Sequence, residues 1–261
     1  MPIKLNCDLG EGENASLLHV DRAVMPYIDQ ANIACGFHAG NPDVMRATLN
    51  LAKEHGVQVG AHPSYNDREG FGRRSMNLHP SEIRPLLLQQ ISVLDSIAKA
   101  QGQQLTYVKP HGALYNDMMA NSDIRKAIMD TIAQYQDTHQ QALAFMAQAT
   151  PEFESHLGEA KASGIELWLE AFADRCYASD GKLLSRSIEE AVHNHEKMLE
   201  QVMQITETSS ITTKEGSVIE LQIDSLCVHG DNKAGVEAIA QIRELIQCDN
   251  IKNKDIQGDH S

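Results

Sequence analysis

Seven short β-rich runs recur along the chain, most followed by helical spacing, and this alternation constrains the fold more than any other feature. The runs are IKLNCD (3–8), ANIACG (31–36), VQVGAH (57–62), LTYVKPH (105–111), ALAFM (142–146), IELWLEAF (165–172) and SLCVHGD (225–231). Each is closed by polar or glycine-rich residues. A strand that returns to its sheet through a helix pairs in parallel with its neighbour, so the pattern predicts a parallel sheet covered by helices. About seven such units in roughly 250 residues fit an irregular, TIM-like parallel (β/α) barrel better than an open sheet, because no GxGxxG fingerprint follows the first run.

Apolar spacing predicts the covering helices. Val44, Ala47, Thr48, Leu51 and Ala52 form one stripe over 42–55, and Ile83, Leu87, Ile91, Leu94 and Ala98 form another. A third stripe, over about 188–204, runs through Ile188, Ala191, Val192, His195, Leu199 and Val202, which places His195 in the core rather than at a ligand. The last, over about 233–247, uses Val236, Ile239, Ile242 and Ile246. Between them, β-branched residues on either side of Glu215-Gly216 predict a small hairpin over 211–223. One barrel domain is expected over 1–248. The tail, 249–261, has only two aliphatic residues and is expected to be disordered.

Charge excludes some classes of partner. With 36 acidic against 22 basic side chains, a net charge of −14 repels the phosphate backbone of nucleic acid. No apolar run approaches the roughly 20 residues that cross a bilayer, and MPIKLNCDLG lacks the features of a signal peptide, so a cytoplasmic protein without membrane contact is expected. Five cysteines, at 7, 35, 176, 227 and 248, are an odd number without CxxC spacing. Reduced thiols follow, with Cys7, Cys35 and Cys227 as small buried hydrophobes.

In parallel βα folds, reactive side chains collect at the carboxyl ends of the strands. Those ends supply Asp8 and Glu11, His38, His62, Lys109 and His111, then Glu170, Asp174 and Arg175, and finally His229 and Asp231. Asp8 or Asn41 alone could be a helix cap. Four histidines at four strand ends are a different matter, since imidazole serves as acid, base or metal ligand near neutral pH. Two chemistries stay open. Asp8, His38 and His62 could hold zinc or another divalent ion. Alternatively a carboxylate orients a histidine while Lys109 or Arg175 neutralises developing charge, without metal. GFGRR (70–74) offers Arg73 and Arg74 as a clamp for a carboxylate or phosphate. Lys109, ending a buried strand, needs an anion; a bound ligand or an internal pair with Glu170 or Asp231 would supply it. A P-loop, GxxxxGK[ST], is absent.

Taken together, NCDLGEG (6–12), NIACGFHAG (32–40), GAHPSYNDREGFGRR (60–74), KPHGALYN (109–116), EAFADRCYASDGKLLSR (170–186) and CVHGD (227–231) resemble the LamB/YcsF family. Six motifs occur in the family's order, from residue 3 to about residue 245. The sequence departs from the family at Glu13-Asn14, after GEG, and in its polar tail. The resemblance implies a barrel related in shape to polysaccharide deacetylases. It also implies one component of an ATP-dependent 5-oxoprolinase, which opens 5-oxo-L-proline to L-glutamate with two partner subunits, B and C. On that basis Asp8, Glu11, His38, His62, Lys109 and His111 form the expected catalytic set, and Arg73, Arg74, Glu170, Arg175, His229 and Asp231 the substrate-binding set. Without a P-loop, ATP and its Mg ion are expected on the partner subunits or at their interface. The alternatives are a free-standing metal-dependent amide hydrolase or deacetylase, and a non-catalytic component that only binds the lactam.

Overall fold

The computed structural model describes residues 2–258 and carries seven parallel strands in a closed barrel. In chain order the elements are β1 (Lys4–Leu9), α1 (His19–Val24), β2 (Gln30–Ala34), α2 (Pro42–His55), β3 (Gln58–His62), α3 (Pro80–Ala100), β4 (Leu105–Val108), α4 (Gly112–Ala120) and α5 (Ser122–His139). They continue through β5 (Ala144–Gln148), α6 (Phe153–Ala162), β6 (Leu167–Phe172), α7 (His195–Thr208), β7 (Ser210–Thr212), β8 (Val218–Glu220), β9 (Ser225–His229) and α8 (Lys233–Gly258). Barrel order is β1-β2-β3-β4-β5-β6-β9, closed where Asp8 of β1 pairs with His229 of β9. The expected hairpin is the antiparallel pair β7–β8, which stands outside the barrel.

Local chemistry explains where the helices start. Asn41 caps α2 by accepting from the amides of Asp43 and Val44, Pro42 occupies the first turn, and left-handed Gly56 ends the helix. α3 begins with a reciprocal capping box between His79 and Glu82, and its expected stripe is buried. α7 departs from expectation. It starts at His195 because Asn194 caps it, accepting from the Lys197 amide, and its buried face is Met198, Gln201, Val202 and Ile205. His195 is therefore a half-buried first-turn residue, while Ile188 and Val192 sit exposed in the preceding loop. α8 continues to Gly258, past residue 248, so a helix occupies most of the stretch expected to be a disordered tail; 259–261 lie outside the described residues.

Successive strand residues point to opposite faces. On β1, Leu5, Cys7 and Leu9 join the apolar layer between strands and helices, whereas Asn6 and Asp8 point into the barrel, where polar groups meet. The four cysteines at 7, 35, 176 and 227 are buried and unbridged. No described helix is long and apolar enough to cross a membrane.

Candidate active site

The barrel interior ends, at the carboxyl side of its strands, in a floor of ionised groups. Lys109 follows β4 and is 2% exposed; its Nζ lies 3.0 Å from Asp8 Oδ1 and 3.0 Å from Glu170 Oε2, and donates to Cys227 Sγ at 3.1 Å. Burial alone would strip the ammonium of its proton, but Asp8, Cys227 and Glu170 outweigh it and raise the Lys109 pKa well above the ordinary value. Burial likewise opposes charge on Asp8, yet His62 and Lys109 hold its carboxyl well below the usual range. Glu170 has no exposed side-chain surface. It is the counter-ion beneath Lys109, which corrects its expected place among ligand-binding residues, and it realises the internal pair that the sequence left open.

Above this floor, a loop over 63–75 packs three imidazoles together. His38 and His111 stack at 3.8 Å between ring centroids with 5° between planes, and His62 stands edge-on to both. Gly72 makes the approach possible. It takes φ +67°, and a Cβ there would lie 2.9 Å from His111 Cδ2 and 2.9 Å from His38 Cβ. The preceding Phe71, a non-glycine at φ 54°, aims its carbonyl at His111 Nε2, 2.9 Å away. Burial first, and neighbouring imidazoles second, push His38 and His111 well below their ordinary pKa. Glu11 completes the group, its Oε1 lying 3.4 Å from His38 Nε2 and 3.7 Å from His111 Nδ1. Burial, then the charge of Asp8, pushes the Glu11 carboxyl up to about 8.

A cavity of about 410 Å³ opens above Asp8, Lys109, His62 and His111. Its other walls carry Arg73, Arg175, Lys182, Arg186 and His229. His229 is held by Asp174, whose carboxylate accepts from Nδ1 at 2.9 Å and from Asn232 at 3.0 Å. Burial of Asp174 is overcome by His229 and these bonds, which bring its carboxyl down to about 2. Asp231 pairs with Arg73 and lies 3.6 Å from Arg186, so it positions two wall cations. Burial, then Arg186, lowers the Arg175 pKa; its guanidinium is anchored by the Leu184 and Ala191 carbonyls.

The structure thus gathers Asp8, Glu11, His38, His62, Lys109 and His111 at one end of the barrel, with His38 behind His111. It also brings Arg73, Arg175 and His229 to the same cavity. Arg74 does not join them: its guanidinium pairs with Asp67 and lies 3.7 Å from Glu69, with 63% of the side chain exposed. The GFGRR clamp therefore reduces to Arg73. The metal set read from sequence also changes membership. Among the described residues the converging donors are Glu11, His38, His62 and His111, whereas Asp8 groups with Cys227 and His229. Ser64, Asn32, Lys182 and Arg186 are absent from the site expected from sequence, while Asp174, named among the strand-end groups, holds His229. Lys182 and Arg186 lie in EAFADRCYASDGKLLSR and were available as cations of a motif already singled out. Ser64 and Asn32 carried no signal of their own.

The profile of the LamB/YcsF family matches residues 3–260. The chain belongs to the LamB/YcsF family. A relative from Pseudomonas fluorescens, named as the A subunit of 5-oxoprolinase, is 46% identical over 243 residues, covering 93% of this chain and 96% of its own. Another of that name, from Vibrio cholerae serotype O1, is 45% identical over 245 residues, covering 94% and 97%. The crystal structure of the lactam utilization protein from Thermus thermophilus superposes with a TM-score of 0.83 at 33% identity, over 95% of this chain and 96% of that one. The barrel fold is thus shared with that solved lactam utilization protein.

Proposed function

We propose that the chain is the lactam-handling component of an ATP-dependent 5-oxoprolinase, which opens 5-oxo-L-proline to L-glutamate together with partner subunits B and C. One observation carries this reading: the ionised Asp8–Lys109 floor lies under a cavity walled by Arg73, Arg175 and Arg186. The names of the relatives, 5-oxoprolinase and lactam utilization protein, support the substrate class. A five-membered lactam is a resonance-stabilised amide, so its carbon needs activation before water adds. ATP supplies it by giving its γ-phosphoryl group to the lactam oxygen, releasing ADP. Water then adds to the activated carbon. The ring C–N bond breaks as nitrogen takes a proton, and a second water converts the resulting acyl phosphate to carboxylate and inorganic phosphate.

The residues of this chain suit those steps. Arginines on the walls hold the substrate carboxylate and the transferred phosphoryl group, for which a cavity of about 410 Å³ leaves room. Lys109 offsets negative charge developing on the oxygens of the tetrahedral intermediate, and Asp8 orients the attacking water. His229, its Nδ1 proton tied to Asp174, takes the proton released by the attacking water on its opposite ring nitrogen and returns it to the leaving nitrogen. The complex is cytoplasmic, and ATP with Mg sits on the partner subunits or at their interface, since the chain carries no P-loop. A second reading, a free-standing metal-dependent amide hydrolase or deacetylase, is favoured by the converging imidazoles and requires turnover without ATP.

The test is reconstitution. Glutamate and phosphate release from 5-oxo-L-proline are measured for the chain alone and with subunits B and C, each with and without ATP. Release only in the complete, ATP-containing mixture is expected. Turnover by the isolated chain, or none in the complete mixture, overturns the proposal.

A further inference from the structure

Each of the three imidazoles commits one ring nitrogen as a donor and aims the other inward. His62 Nδ1 lies 2.7 Å from the Lys109 carbonyl and His111 Nε2 lies 2.9 Å from the Phe71 carbonyl. A carbonyl only accepts, so both of those ring nitrogens carry the proton. His38 Nδ1 lies 2.9 Å from Ser64 Oγ, whose single proton is donated to the Tyr65 carbonyl, so Ser64 accepts and His38 Nδ1 is the donor. His38 Nε2, His62 Nε2 and His111 Nδ1 remain, and His62 Nε2 also lies 3.3 Å from Asp8 Oδ2. They converge, with Glu11 Oε1, so that all four atoms lie within 4.8 Å of one another.

Two of these atoms, His38 Nε2 and Glu11 Oε1, are buried and make no hydrogen bond. The other two face each other at 2.9 Å, a spacing that needs a proton or an ion between them, with Asp8 Oδ2 3.3 Å from His62 Nε2. Buried polar groups in a folded protein find partners, so this arrangement calls for an occupant that accepts four lone pairs at once. We propose that Glu11, His38, His62 and His111 bind one divalent transition-metal ion, zinc by donor preference.

Three imidazoles and a carboxylate are a borderline donor set suited to such ions. A tetrahedral ion with bonds of about 2.0–2.1 Å separates its donors by about 3.3 Å, a spacing bracketed by the 2.9 Å from His111 Nδ1 to His62 Nε2 and the 3.7 Å from His111 Nδ1 to Glu11 Oε1. Each imidazole already donates its far N–H to a carbonyl or hydroxyl, the outer-shell bond that sets tautomer and orientation in metal-bound histidine. His62 and His111 also line the cavity beside Asp8, so the ion would face any bound ligand. There it would polarise a ligand oxygen or lower the pKa of a bound water. The site lies wholly within this chain and does not rest on the 5-oxoprolinase assignment.

The test uses the full-length chain without an affinity tag. Metal content is measured by elemental analysis after gentle dialysis, and the chelator-stripped protein is titrated with Zn²⁺ by calorimetry and with Co²⁺ by visible absorption. The expected result is about one equivalent per chain and d–d bands of low-symmetry Co²⁺ coordination. E11Q and H38Q, checked for folding by thermal melting, each alter a direct ligand and should weaken binding by about 100-fold or more, since losing an outer-shell partner alone costs about 10–100-fold. Folded wild-type chain that binds neither ion would overturn the proposal and leave His62 and His111 sharing a proton. So would a folded E11Q or H38Q variant that binds as tightly as wild type. Because the readout is binding rather than turnover, neither result bears on the reconstitution outcome.

Discussion

Replacing Lys109 by methionine probes the floor of the site directly. The ammonium is enclosed and lies 3.0 Å from each of two carboxylates, Asp8 and Glu170. Methionine keeps most of the volume and removes the charge, leaving Glu170 without its ammonium and Asp8 with His62 alone. Removing one partner of a buried ion pair costs about 3–5 kcal/mol. Against a domain stability of about 5–15 kcal/mol, the variant should still fold, with a melting temperature lower by roughly 10 °C. The pH dependence identifies the cause. Asp8 has a depressed folded pKa, so its contribution is complete above its unfolded value of about 4 and is lost as pH falls through the folded value. Lys109 has a raised pKa, so its contribution is complete below about 10.4 and is lost only as pH rises beyond that. Between these limits the wild-type pairing is at full strength. In the variant, Asp8 loses a cation and its pKa rises, so the stability deficit should be largest near pH 8 and shrink toward pH 5. Urea unfolding at both pH values measures it, and adding E170Q should recover part of the loss by removing one uncompensated charge. A deficit below about 1 kcal/mol, far under the expected range, or one unchanged between pH 8 and 5, would refute the electrostatic account.

Asp8→Asn leaves Lys109 its Glu170 partner, so the fold should survive while turnover of the assembled complex falls by about 100-fold, the scale of a positioned acid/base group; unchanged turnover would remove Asp8 from the chemistry. Arg73 and Arg74 should separate cleanly. Arg73→Ala raises KM by about 10-fold or more through loss of a charge-assisted contact, whereas Arg74→Ala, on a 63% exposed side chain, leaves kinetics unaltered; equal effects would contradict the placement. Gly72→Ala forces a side chain into a left-handed position against His38 and His111, and should cost about 1–3 kcal/mol in unfolding measurements. A neutral melt would show that the loop adapts.

Much of this was legible because strand ends announce themselves. An apolar run that closes on Asp8, His62 or Lys109 marks both the end of a strand and a side chain facing the βα loops, and parallel topology brings those ends together. Other features were hidden by causes that sequence does not display. Arg73 and Arg74 are adjacent and chemically identical, yet the turn at Phe71 (φ 54°) and Gly72 (φ 67°) sends one to the cavity and the other to Asp67. His195 fits a helical stripe that runs back to Ile188, but Asn194 is the stronger local signal and starts the helix later. Glu170 looked available because charge at a strand end resembles a ligand contact. Its burial depends on Lys109 reaching across the barrel from another strand, a pairing set by three-dimensional closure.

The same closure explains how a carboxylate can be aimed so firmly. Inside the barrel, Ser225 Oγ donates to Gln30 Oε1 at 2.7 Å, Asn6 Nδ2 donates to Ser225 Oγ at 2.8 Å, and Asn32 Nδ2 donates to Asn6 Oδ1 at 2.7 Å. Tyr107 Oη donates to Asn32 Oδ1 at 2.6 Å, and Asn32 Nδ2 reaches Asp8 Oδ1 at 2.7 Å. Polar groups this deep are costly unless paired, and pairing makes them rigid. The apolar layer outside the strands supplies the hydrophobic stability, so the axis is free to be polar. Asp8 Oδ1 is occupied by Asn32 and Lys109, which fixes the carboxylate plane and turns Oδ2 toward His62, 3.3 Å away, at the cavity wall. The direction of the reactive oxygen is therefore set by amide and hydroxyl side chains on β1, β2, β4 and β9, below the cavity and out of reach of any ligand in it.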